Sequence, residues 1–100
     1  MIDSSTIEIN ALFFKIMSNK DRLKIINTVS HKPKTVNEIC KDTGFEQSWV
    51  SHSLRLLREN GIVESRREGK NIYYKLDNCI KPVIIAANKI APKYKSKGGD

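Results

Sequence analysis

The 100-residue sequence predicts a mainly α-helical domain with a two-stranded β-hairpin arm. Three observations predict it. Apolar residues recur at helical spacing through most of the chain. A Thr35-Val36-Asn37-Glu38 capping box and a Gly44 turn separate two of the central helices. Beyond Asn60-Gly61 the period shortens to two around Glu68-Gly69-Lys70, as a hairpin requires.

The elements follow in order. Residues 4 to 17 read as a helix whose apolar positions (Ile7, Ile9, Ala11, Leu12, Phe13, Phe14, Ile16, Met17) cover more than one face. Ser18 and Asn19 interrupt it, and Ser18 with Asp21 forms a loose cap for a second helix, about Lys20 to Ser30. Leu23, Ile25 and Ile26 face inward, and His31-Lys32-Pro33 stops the helix. The capping box opens a short helix in which Val36, Ile39 and Cys40 share a face. The next helix, about Gln47 to Glu59, buries Val50, Leu54 and Leu57 at i, i+4 and i+7, and Asn60-Gly61 ends it through a left-handed cap. Two short strands, Ile62 to Arg67 and Asn71 to Leu76, flank the hairpin turn. A last helix spans about Cys79 to Ala91, with Pro82 in its first turn and Pro92 closing it. One domain thus covers residues 4–92, and 93–100 form a flexible polar tail.

Composition narrows the function. Eighteen Lys and Arg against eleven Asp and Glu give a formal charge of +7 and a pI near 9.6, which favours a polyanionic partner, nucleic acid before membrane. Arg55, Arg58, Arg66, Arg67 and Lys70 concentrate that charge in one window. The N-terminus lacks the pattern of a secretory signal, and the stretch from Ile80 to Ala91 is too short and too interrupted by Lys81, Asn88 and Lys89 to span a bilayer. Two cysteines do not make a disulfide framework, so the expectation is a cytoplasmic protein. No nucleophile–base pair, glycine-rich phosphate loop or metal cluster is visible, which argues against an enzyme and calls for no cofactor.

With Val50, Leu54 and Leu57 inward, a step of 100° per residue puts Gln47, Ser48, Ser51, His52, Arg55 and Glu59 on the opposite arc. Gln and Arg carry the donors that read base edges, and serine hydroxyls bond bases or phosphates. Arg66, Arg67 and Lys70 surround the hairpin tip, where they reach a minor groove or its phosphates, or else simply protect a strand edge. Trp49 sits at the rim of the buried arc, and packing is its expected role. His52 bonds DNA, or adds charge to the interface when protonated. His31 caps a helix end, and Cys40 is a buried structural thiol. Cys79, at the positive end of the last helix, is the one redox or metal handle. The outer helices bear more apolar surface than one small core covers. Ile9, Leu12, Phe13 and Ile16 on the first, with Ile84, Ala87 and Ile90 on the last, are the candidate twofold interface.

Taken in order, the segments from Ala11 to Ile26, from Val36 to Leu57 (with Val50-Ser51-His52-Ser53-Leu54) and from Arg66 to Leu76 resemble the opening helices, helix-turn-helix and wing of ArsR/SmtB-type repressors. The likeness covers about residues 9 to 91. It implies a winged helix-turn-helix, dimeric through its first and last helices, that binds double-stranded DNA at an inverted repeat and is released by an effector. The chain departs from the family at both places where members hold metal ions. Lys34-Thr35-Val36-Asn37-Glu38 offers no thiolate, and Cys79 to Tyr94 contains no Asp, Glu or His, so no metal site is expected. Two other readings remain open: a winged-helix module that binds protein without reading DNA, and a thiol-responsive repressor acting through Cys79. RNA binding lacks its usual aromatic platform.

Overall fold

Three helices begin on a side chain that accepts a bond from an otherwise unpaired first-turn amide. Asp3 accepts from the Thr6 amide at 2.8 Å and opens α1 (Ser4–Met17). Asn19 accepts from Arg22 at 2.9 Å and opens α2 (Lys20–His31). At the start of α3 (Val36–Thr43) the capping box is complete: Thr35 Oγ1 accepts from the Glu38 amide, and the Glu38 carboxylate accepts from the Thr35 amide. Gly44, at φ 78°, closes α3 in the left-handed conformation that glycine adopts without strain, and so turns the chain into α4 (Gln47–Glu59). The antiparallel strands β1 (Val63–Glu68) and β2 (Asn71–Leu76) follow, then α5 (Lys81–Gly98). The structure, a computed structural model, describes residues 2–98.

The core gathers one face of each central element. Ile25, Ile26 and Val29 from α2, Ile39 from α3, and Val50, Leu54 and Leu57 from α4 are buried together with Ile62, Val63 and Leu76 beside the sheet. Met17 and Ile84 close the two ends from α1 and α5. A non-local tie secures the hairpin: Lys34 and Tyr74 exchange backbone hydrogen bonds of 2.9 and 2.8 Å. The approach to α3 therefore acts as a third, one-residue strand against β2.

Several boundaries differ from the sequence reading. Asn19, not Ser18, caps α2; Ser18 instead turns its hydroxyl back to the Lys15 carbonyl. Glu68 pairs with Asn71, so the turn is two residues, Gly69-Lys70, with Gly69 at φ 62°. The last helix neither starts at Cys79 nor stops at Pro92. Cys79 lies in the turn before it, its amide bonded to the Asp77 carboxylate, and α5 passes through Pro92 to Gly98. A proline inside a helix removes one backbone bond but does not forbid continuation. The stretch expected as a flexible tail is therefore helical to Gly98, and residues 99 and 100 lie outside the described residues. Ile84 is only 2% exposed, because it plugs the protomer's own core and is not left over for a partner.

The isolated protomer is open. Its accessible surface of 7433 Å² exceeds the roughly 5,800 Å² expected of a compact 11.4 kDa monomer, and its radius of gyration, 14.9 Å, exceeds the expected value of about 13 Å. The outer helices account for much of this: Ile7, Ile9, Leu12 and Phe14 on α1 stand exposed, as do Val83, Ile85, Ile90 and Tyr94 on α5. Among the described residues, a bond from Asn88 Nδ2 to Asn27 Oδ1 at 2.9 Å ties α5 to the body.

Candidate nucleic-acid interface

Helix α4 is anchored from beneath by Val50, Leu54 and Leu57, and this fixes which arc faces outward. Gln47, Ser48, Ser51, His52 and Arg55 are all exposed on it, and none is walled in by another element. Arg55 is tethered to Glu59 one turn on, Nε to carboxylate 3.4 Å, an exposed pair of small energetic weight that a base edge can displace. The N-cap Glu46 makes no side-chain bond to the first turn, so those amides remain available toward the solvent side. The α3–α4 corner is braced by contacts that sequence order alone did not suggest. Lys34 forms an ion pair with Asp42, and the Lys24 ammonium sits 5.7 Å from the centre of the Phe45 ring.

Trp49 is half-buried at the rim, as its position on the wheel implied, with its ring 6.5 Å from that of His52. Its indole Nε1 and the Ser53 hydroxyl are buried without a hydrogen-bond partner. Ser53 had not been placed in the core; it fills the gap between Val50 and Leu57 on the inner arc. Cys40 packs on the core only half-buried, short of the fully buried thiol expected, and Cys79 is exposed.

On the hairpin, Arg66, Arg67 and Lys70 are exposed, but the register separates the two arginines. Arg66 lies opposite Tyr73 and Arg67 opposite Ile72, and neighbours along a strand point to opposite faces. Arg66 forms an ion pair with Glu68, and Lys75 lies 3.7 Å from Glu64 on the same face. Arg67 bonds through Nε to the Gly69 carbonyl at 3.3 Å.

Of the candidate twofold residues, Ile9, Leu12, Ala87 and Ile90 are exposed and Phe13 and Ile16 half-buried, leaving Ile84 as the one inside the core. Ile7 and Phe14, on the other flank of α1, were not among them. Their apolar character in a helix with apolar residues on more than one face was the available signal. Among the described residues no three His, Cys, Asp or Glu side chains group as a metal site, and none of their helices is long and apolar enough to cross a membrane.

Known proteins share this arrangement. The profile of the bacterial regulatory protein, arsR family, matches residues 19–65. The chain is 36% identical over 67 residues to the cadmium resistance transcriptional regulatory protein CadC of Listeria innocua, covering 66% of this chain and 56% of that protein. It is 34% identical over 80 residues to the HTH-type transcriptional regulator YgaV of Escherichia coli, covering 79% and 81%. The fold superposes, with a TM-score of 0.82 and 25% identity, on the homodimeric winged helix-turn-helix DNA-binding domain of a possible ArsR-family regulator from Mycobacterium bovis, covering 91% of this chain and 85% of that one. The match spans little more than half the length of the cadmium regulator and its like. A soft-metal site does not fit the residues present: Lys34–Glu38 supplies no thiolate, and the α5 stretch to Tyr94 supplies no imidazole or carboxylate.

Proposed function

The chain belongs to the ArsR family of bacterial regulatory proteins, and from that premise we propose that it is a homodimeric, sequence-specific DNA-binding repressor working in the cytoplasm. The observation that carries the reading is the outward arc of α4. Gln47, Ser48, Ser51, His52 and Arg55 stand exposed on a helix held rigidly by Val50, Leu54 and Leu57, with a cationic hairpin beside it. Helix-turn-helix proteins place such a helix in the major groove, where Arg pairs with guanine and Gln with adenine while hydroxyls and lysines position the backbone.

The open protomer supports self-association. Two copies joined through α1 and α5 cover Ile9, Leu12 and Ile90 and set two α4 helices against successive major grooves of an inverted repeat. The formal charge of +7 supplies the sequence-independent attraction to phosphate.

The test starts from duplexes selected out of a random library by the intact protein, followed by a salt titration of the winning sequence. Log affinity should fall steeply and linearly with log salt. Arg55→Ala should cost about 1–3 kcal/mol on the selected duplex and much less on scrambled DNA, so that discrimination flattens. Equal affinity for all duplexes in the wild-type protein refutes sequence-specific repression and returns the fold to a protein-binding role, in which Arg66→Ala and Arg67→Ala leave partner binding intact.

A further inference from the structure

We propose that Trp49 is the positioning residue for His52: its indole walls one side of the imidazole and holds that ring in the direction in which it meets the duplex. The inference rests on the DNA-binding reading above and gives a role to a side chain that the groove contact itself does not use.

Side chains on a helix lean toward its N-terminus, onto the residues three and four positions earlier. His52 therefore leans back over Trp49, and the two ring centroids lie 6.5 Å apart with the planes tilted by 31°. That separation is within the range of attractive ring pairs. The two rings differ in how they are held. Trp49 is half-buried and packed against the core. His52 is exposed and makes no side-chain hydrogen bond or ion pair among the described residues. One ring is fixed and the other is not, so their contact limits the imidazole. Farther along the same arc, Glu59 tethers Arg55; for His52 that part falls to the indole.

The fold alone does not account for a tryptophan here. Its Nε1 is buried without a hydrogen-bond partner, as is the Ser53 hydroxyl one turn on. A donor withdrawn from water and left unpaired lowers stability. Leucine or phenylalanine would cover the rim of the core without bringing that donor inside. What the indole adds is breadth: one flat ring system that rests on the core and still reaches His52. A residue that departs from the packing rule without serving the core is where function is expected. The gain is preorganisation. An imidazole has a single N–H to donate when neutral, and orienting it before binding lowers the entropy lost at the groove.

The experiment is a pair of double-mutant cycles on the intact protein, read by fluorescence anisotropy with the duplex that the wild type selects. One cycle combines Trp49→Leu with His52→Ala, the other Trp49→Leu with Arg55→Ala, and circular dichroism checks that each variant is folded. If Trp49→Leu does not fold, the milder Trp49→Phe replaces it in both cycles. The expected result is that Trp49→Leu weakens binding about fivefold. That loss vanishes when His52 is already alanine and persists in full when Arg55 is, because only the first pair is in contact. Three results overturn the inference: a Trp49 variant with wild-type affinity, losses at Trp49 and His52 that multiply, or coupling to Arg55 as strong as to His52. The last means that Trp49 only steadies α4 as a whole. A His52→Ala protein with wild-type affinity also overturns it and leaves the reading of DNA to the rest of the arc. A wild-type protein that selects no duplex overturns the function and this assignment together.

Discussion

Replacing Ile9 and Leu12 by alanine probes the twofold seam most directly. In the isolated protomer these side chains are 66% and 55% exposed, so more than half of each remains to be covered. Full burial of an Ile or Leu side chain contributes about 1.5–3 kcal/mol, and the portion still uncovered here accounts for about 1 kcal/mol per side chain. A twofold axis repeats each loss. The double variant therefore gives up about 4 kcal/mol per dimer, and its dissociation constant rises about a thousandfold. Room for such a seam exists: the protomer's excess surface is about 1,600 Å², against about 800 Å² per partner in a standard interface. Sedimentation velocity over a dilution series reads the constant, and far-ultraviolet circular dichroism should show the helices unchanged, because neither residue belongs to the core. An unchanged constant with an intact spectrum would put the seam away from α1 and refute the reasoning.

Two further outcomes concern the helix starts. Thr35→Ala removes the hydroxyl from a capping box whose two bonds measure 3.2 and 2.9 Å; it should cost about 1 kcal/mol and lower Tm by about 4–8 °C in calorimetry, and an unaltered Tm would deny the box its role. Asp3 is held below the usual aspartate value of 3.8 by the bond from the Thr6 amide, helped by the Ser5 hydroxyl. Its depressed folded pKa means the cap is fully present above 3.8 and is lost as pH falls through the lower folded value. The protection of the Thr6 amide, measured by NMR as its exchange rate relative to the intrinsic rate at each pH, should fall only in that acid window, and Asp3→Asn should remove that fall.

Local regularities were legible in the residues. The i, i+4, i+7 run of Val50, Leu54 and Leu57 located both the buried and the outward arc of α4, and Thr35 with Glu38 announced the start of α3. Long-range geometry was not. The Lys34–Tyr74 bridge joins residues forty positions apart and leaves no local trace. The buried stripe of Val50, Leu54 and Leu57 left Ser53 unassigned, and the inner arc of α4 is wide enough to take it. Pro92 read as a stop because proline disfavours helix interiors, but the lysine-rich stretch beyond it continues the turn. The separation of Arg66 from Arg67 follows from strand alternation; treating the hairpin tip as one cationic cluster hid it.

The backbone exchange between Lys34 and Tyr74 has a practical consequence for anyone grafting this reading head onto another scaffold. The arm and the segment leading into α3 share those hydrogen bonds, so neither is a portable part. A chimera that imports residues 36–59 without the hairpin, or the hairpin without Lys34, would leave severed amides and carbonyls at the splice. Any transplantable cassette must run unbroken from Lys34 to Leu76 and also bring α2, whose Ile25, Ile26 and Val29 share its core.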